Sequence, residues 1–131
     1  LTPVVIDASA GVELLTNTVR GHGLRSLLPA DTVAWVPELF YVECGAVLRR
    51  MELHSVFPPA VIEDAVAALL AWPLRITDMR ALFRASWQLR SNLTFADATY
   101  VALADQLGAP LLTDDGPLTR APNLPVRLLH L

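Results

Sequence analysis

Residues 94–115 read TFADATYVALADQLGAPLLTDD, and the fold is decided here. Asp97 falls in the first turn of a helix by its spacing, Gly108 breaks that helix, and Pro110 to Thr113 forms a short apolar strand that runs into Asp114 and Asp115. In a doubly wound α/β domain, the start of a crossover helix and the end of the strand after it lie on one edge of the sheet. Acids far apart in the chain therefore meet there.

The preceding segment, MRALFRASWQLRS (79–91), is amphipathic, with Leu82, Phe83, Trp87 and Leu89 or Leu93 expected inward and Arg80, Arg84 and Arg90 outward. PLRITD (73–78) reads as a strand. VIEDAVAALLAW (61–72) is a helix opened by Pro58 and Pro59 and stopped by Pro73. ELFYVECGAVLRRMEL (38–53) is a longer helix whose first position suits Pro37, and Thr32 to Val36 ahead of it is a strand. The chain opens with a β-branched strand, Pro3 to Asp7, then helical spacing through Val12, Leu14 and Leu15. Gly21 and Gly23 break that pattern before a short helix toward Leu28. After the acidic pair, Gly116 to Arg120 is a turn or one helical turn, and Val126 to His130 a fifth strand. Apolar strands alternating with helices give an α/β fold, a three-layer α/β/α sandwich on a parallel sheet covered on both faces.

The length fits a single domain over residues 1–131. With 53% hydrophobic and 18% charged residues there is little room for a disordered segment, and apolar surface is left for a partner. Cys44 is the only cysteine, so no intramolecular disulfide forms. His22, His54 and His130 are scattered without ligand spacing, which argues against zinc and for a reducing compartment. No apolar run reaches the roughly 18 to 20 residues of a spanning helix, and no basic segment precedes an apolar one at the N-terminus. A soluble, cytoplasmic protein with no membrane association is expected. The chain begins at Leu1, so the natural start is expected upstream. A net charge of −3 argues against adhesion to nucleic acid through global charge and leaves only a local arginine patch. All ten basic residues are arginine, which excludes every chemistry that needs lysine.

Four places carry acids toward the carboxyl edge of the sheet. Asp7 ends the first strand; it is either a free carboxylate or the cap of the next helix, a role for which Ser9 competes. Glu43 is the only charge between Leu39 and Leu48, and the positions three and four residues away hold no base, so an ordinary helical ion pair does not account for it. Arg50, two turns on, shares its face. Counted from Pro37, Glu43 lies ~9 Å along its helix, still near the edge. Asp97 follows Thr94 by three residues, as in a capping box, although Asp is short for that reach. Asp114 and Asp115 precede Gly116-Pro117, so one of them serves the turn.

Two carboxylates ~4 Å apart repel by about 4 kcal/mol at an effective dielectric of 20, so such a cluster needs a cation or shared protons. Oxygen ligands without His or Cys favour Mg²⁺ or Mn²⁺. That donor set suits phosphodiester hydrolysis, with a metal-activated water as nucleophile and metal charge stabilising the leaving oxygen. Arg49, Arg50, Arg84, Arg90 and Arg120 are the candidate cations for an RNA backbone; the alternative for each is a solvated surface.

VVIDASA, PELFYVECGAVLRR and FADATYVALADQLGAPLLTDDGPL, in this order and covering nearly the whole chain, resemble the motifs of PIN-domain ribonucleases, in particular the VapC-type toxins of bacterial toxin–antitoxin pairs. The resemblance implies a five-stranded parallel sheet, Mg²⁺- or Mn²⁺-dependent endoribonuclease activity, homodimerisation and a cognate VapB-type antitoxin that blocks the site. It also implies Asp7, Glu43, Asp97 and Asp115 as metal-binding acids, with Ser9 and Thr113 as polar support. Thr113-Asp114-Asp115 matches the family's Thr-x-Asp, which makes Asp115 the ligand and leaves Asp114 to the turn. In one departure, Gly45-Ala46 stands where many relatives carry an Asn one turn after the Glu.

A response-regulator receiver or a haloacid-dehalogenase-type phosphatase also places Asp after the first strand, but both normally use a lysine near the site. A phosphate-binding P-loop needs Gly-Lys-Ser/Thr, absent here. The remaining rival is a catalytically inactive PIN-like module that only binds a protein.

Overall fold

The computed structural model describes residues 1–131. Strand β1 (Thr2–Ile6) leads through α1 (Ala8–Leu15) and α2 (Val19–Ser26) to β2 (Thr32–Pro37). Helices α3 (Leu39–Leu53) and α4 (Pro59–Ala71) lead to β3 (Arg75–Thr77), then α5 (Met79–Gln88) and α6 (Phe95–Leu107) to β4 (Leu111–Leu112). A short α7 (Gly116–Thr119) precedes β5 (Leu128–Leu129). The five strands form one sheet in the order β3-β2-β1-β4-β5, every pair parallel, flanked by the seven helices.

The central strands are apolar because both faces are covered: Val4, Val5, Ile6, Val36, Leu111 and Leu112 are fully buried. Phe40 and Leu48 of α3, Leu24 of α2 and Val101 of α6 close over them. Burial of each such side chain is worth about 1.5–3 kcal/mol against an exposed one. Helix α6 is buried over seven consecutive residues, Ala98 to Ala104, which explains its lack of a polar face. Thr94 caps its start, accepting from the Asp97 amide at 3.1 Å, and Gly108, at φ 60°, ends it and turns the chain into β4.

After β1 the chain adds β2 and β3 on one side, then returns through α5 and α6 to add β4 and β5 on the other. The strand order therefore reverses at β1, between β2 and β4, and Val5 is in register with both Trp35 and Leu111. The segments following β1 and β4 open on the same edge, where ligands bind in such sheets.

Three expectations are corrected. Pro37 ends β2, paired with Thr77, instead of opening α3. Glu38 then bridges outward, its Oε1 accepting from the Met79 amide at 2.9 Å. Gly21 and Gly23 lie inside α2 rather than breaking it, and Gly21 lets α2 press against the Glu13 carbonyl, where a β-carbon would meet the oxygen at 2.2 Å. On α5 the buried stripe is Leu82 and Ser86, continued by the half-buried Leu89; Phe83 and Trp87 are 54% and 44% exposed. Ser86 is small and bonds its own helix, its hydroxyl donating to the Leu82 carbonyl at 2.7 Å. That stripe accordingly packs closely on α6, and the two aromatics turn outward.

Candidate active site

Asp7 follows the last residue of β1 and does two things at once. Its Oδ1 accepts from the Ala10 amide at 3.0 Å, capping α1, and from the Ser9 hydroxyl at 2.6 Å. Its Oδ2 accepts from the Thr113 hydroxyl. Capping and burial are thus not alternatives for this residue, which is only 3% exposed. Burial pushes its carboxyl up to about 6; the bonds from Ser9, Thr113 and Ala10 oppose the rise, and the neighbouring Asp115 charge adds to it.

Ser9 and Thr113 stitch the two loops of the switch point together. The Ser9 hydroxyl also accepts from the Asp114 amide at 2.9 Å, and the Thr113 hydroxyl from the Asp115 amide at 3.0 Å. Asp115 caps α7, accepting from the Leu118 amide at 3.5 Å, so the acid that serves the turn is Asp115 and not Asp114. Asp114 instead turns away to Arg20 of α2, which donates from Nε to Oδ2 at 3.0 Å and from its second nitrogen to Oδ1.

Glu43 sits one turn into α3. Because that helix starts at Leu39, it lies about 6 Å along the axis, nearer the edge than counting from Pro37 gives. No base pairs with it; Oε1 accepts from the Tyr100 hydroxyl at 2.6 Å. Asp97 lies in the first turn of α6. Only half of a capping box is present there: Thr94 accepts from the Asp97 amide, and no bond runs from the Thr94 amide to the Asp97 carboxylate. Partial burial, then the charges of Asp115 and Glu43, hold its carboxyl above the ordinary range, against a smaller pull downward from Thr94.

Asp7, Ser9, Glu43, Asp97, Tyr100 and Asp115 line one cleft of about 260 Å³, completed by Ala8, Ala46, Val47 and Arg50. The four acids come from four separate segments of the chain. Arg50 is the only base in the lining. Arg49, Arg84, Arg90 and Arg120 are exposed and lie outside it, Arg120 at the end of α7. Gly45 and Ala46, one turn or less after Glu43, bring no polar side chain to this wall.

No three of the carboxylates stand close enough together to cage an ion unaided. The chemistry of the donor set nonetheless fits a hard divalent cation. The donors are all oxygen, no ion pair neutralises any of the four, and Asp7 and Asp97, their carboxyls raised mainly by burial, each feel the added negative charge of Asp115. Mg²⁺ commonly keeps several waters and takes only one or two carboxylates directly.

Tyr100 was not legible as a site residue, because it lies inside an apolar run. Its signal was position, three residues after Asp97 and so on the same face of α6. Arg20, the partner of Asp114, carried no signal, since the pair spans most of the chain.

An acid-lined cleft at the switch point of a five-stranded parallel sheet defines a class of α/β proteins, and comparison says which one. The family model described as PIN domain matches residues 4–124, and the chain belongs to that family. Among its relatives, ribonuclease VapC1 of Mycobacterium tuberculosis is 41% identical over 129 residues, covering 95% of this chain and 94% of the relative. Ribonuclease VapC12 of the same organism is 36% identical, covering 90% and 91%. The fold is shared with VapBC2 of Rickettsia felis, solved bound to a DNA fragment from its promoter, at a TM-score of 0.70 and 14% identity over 99% of both chains. It is shared also with VapC20 of M. tuberculosis, a sarcin-ricin-loop-cleaving toxin, at a TM-score of 0.66 and 21% identity over 95% and 98%. The chain is thus a PIN-domain protein of the VapC type.

Proposed function

We propose that the chain is a Mg²⁺- or Mn²⁺-dependent endoribonuclease, the toxin of a VapBC-type pair, acting on RNA in the cytoplasm. The observation that carries this reading is the convergence of Asp7, Glu43, Asp97 and Asp115 in one cleft with none of them held in an ion pair. The names of the similar ribonucleases support the substrate class.

These four acids would hold the cation, which when bound acidifies a water and neutralises charge developing on the phosphate. Ser9 and Thr113 fix the Asp7 carboxylate by hydrogen bonds to both of its oxygens. Tyr100 fixes Glu43. Arg50, at the cleft wall, is the side chain positioned to meet a phosphate oxygen of the substrate.

A cognate antitoxin has a surface to occupy. An apolar groove of about 950 Å³ between α1, α2, β2 and α4 includes Leu14, Leu15, Leu28, Ala68, Trp72 and Leu74, with Arg25 and Arg75 also in its lining. The lining runs from Thr32 and Val33 to Ile6, the residue before Asp7, so a segment seated there leads toward the cleft that the antitoxin would block. Homodimerisation, which the family resemblance implies, belongs to the same proposal.

The test is cleavage of structured RNA in Mn²⁺, in EDTA, and by Asp97→Asn. Cleavage is expected only from the native chain with metal; cleavage that survives both EDTA and the substitution overturns the assignment. The inactive-module reading draws on Asp7, whose two oxygens are already engaged by three donors. Calorimetric titration with Mn²⁺ decides between the two, since an inactive module gives neither metal-dependent heat nor activity.

A further inference from the structure

The outward turn of Phe83 and Trp87 places them among the arginines of α5. Arg80, Phe83, Arg84 and Trp87 follow one another on α5 at spacings of one or three residues, and Arg90, just past its end, continues the same exposed stripe. The two rings are nearly parallel, 14° between planes with centroids 6.4 Å apart, and the Arg90 guanidinium lies over the Trp87 ring at 4.6 Å. Its Nη1 donates to the Trp87 carbonyl at 2.9 Å, which holds the guanidinium over the ring. No acid occurs between Met79 and Leu93, and Arg80, Arg84 and Arg90 have no carboxylate partner. In a chain of net charge −3 the stripe is therefore a local cationic, aromatic surface. It also adjoins the helix that carries Asp97: Phe83 packs on Phe95 at 5.0 Å, and Phe95 opens α6 two residues before that acid.

Exposed hydrophobic rings usually end in a protein contact, but here the charges decide the occupant. Unpaired bases stack on aromatic and guanidinium planes while arginines hold the adjoining phosphates, whereas a second copy of this stripe would set like charges against each other. We propose that Phe83, Trp87 and Arg90 form a stacking platform for an unpaired nucleotide of the RNA strand, beside the one entering the cleft, with Arg80 and Arg84 on its phosphates. The platform rests on the nuclease reading above and adds to it a requirement for a single-stranded, flipped-out base. These are positioning residues and take no part in the chemistry.

The experiment measures binding of a short fluorescein-labelled single-stranded RNA, with Ca²⁺ in place of Mg²⁺, to the native chain, to Trp87→Ala, to Trp87→Phe and to Phe83→Ala/Trp87→Ala. A matched strand with abasic residues is run in parallel. Loss of the ring is expected to weaken binding roughly tenfold. Trp87→Phe should restore most of it, and the abasic strand should bind the native chain no better than the intact strand binds Trp87→Ala. Because both aromatics are exposed, the fold is expected to survive, which circular dichroism checks. Equal affinity of the native and doubly substituted chains, with metal-dependent cleavage retained, overturns the platform and leaves the nuclease intact. No binding and no cleavage by the native chain overturns both. Unchanged RNA affinity with a dimer converted to a monomer by Trp87→Ala assigns the stripe to a contact between copies and equally overturns the proposal.

Discussion

The Tyr100 hydroxyl donates to Glu43 Oε1 at 2.6 Å, tying the buried middle of α6 to the acid of α3. Burial first, then the hydrogen bond to Glu43, push the phenol far above its usual range, so it stays protonated and remains a donor at any working pH. Glu43 is thereby kept in one orientation without a base beside it.

Removing only that hydroxyl, in Tyr100→Phe, is expected to cost about 1.5–3 kcal/mol in urea unfolding, the range for a hydrogen bond to a charged group. Metal-dependent cleavage should fall roughly tenfold as the carboxylate gains freedom. A native rate at saturating Mn²⁺ from this variant would mean that Glu43 finds its place unaided.

Thr113→Val is isosteric but leaves Asp7 Oδ2 and the Asp115 amide without their common partner. We expect a loss of about 1–3 kcal/mol in stability and weaker Mn²⁺ binding by calorimetry, because both loops of the switch point loosen together. Thr113→Ser should retain most of both properties. Equal behaviour of the Val and Ser variants would deny the hydroxyl its role.

Asp7 gives the metal-free chain a defined pH response. Its folded value of about 6 lies above the 3.8 of an exposed carboxyl, burial being the main cause. A carboxyl that holds its proton more tightly when folded stabilises the fold below its unfolded value, and that contribution disappears as the pH rises through the folded one. Between about pH 4 and 6 the chain in EDTA should therefore lose stability, Asp7 contributing on the order of 3 kcal/mol. Urea titrations across this interval should show a flatter profile for Asp7→Asn than for the native chain, and parallel profiles would contradict the assignment.

Gly11 sets the distance between α1 and α3. A β-carbon there would fall 2.6 Å from Phe40 Cζ, and Phe40 is fully buried, edge-on to Trp72. Gly11→Ala is expected to cost about 1–3 kcal/mol by overpacking, in excess of the gain in helix propensity. It should also lower Mn²⁺ affinity by parting Asp7 from Glu43. A more stable variant with native affinity would show that the ring moves aside freely.

The sheet was legible because its strands are short apolar runs at regular intervals, and the acids because each stands at a strand end or in a helix's first turns. Tyr100 was hidden by its own surroundings, since an aromatic within an apolar run looks like core whether or not its hydroxyl has work to do. The error at Phe83 and Trp87 has a different cause. Helix α5 carries two neighbouring apolar stripes, and ring size favours the wrong one; close approach to α6 selects the stripe with the small Ser86. The division of labour between Asp114 and Asp115 depended on Arg20, a contact between residues 94 positions apart that no local pattern encodes.

The order of the strands also governs when the cleft comes into being. Asp7 leaves the ribosome more than a hundred residues before Thr113 and Asp115, yet it acquires them as neighbours only after β4 has docked beside β1. A nascent chain shorter than this carries three of the acids and no closed cleft. The cleft is thus a late product of folding, closed only when the fourth strand takes its place beside the first, by topology alone.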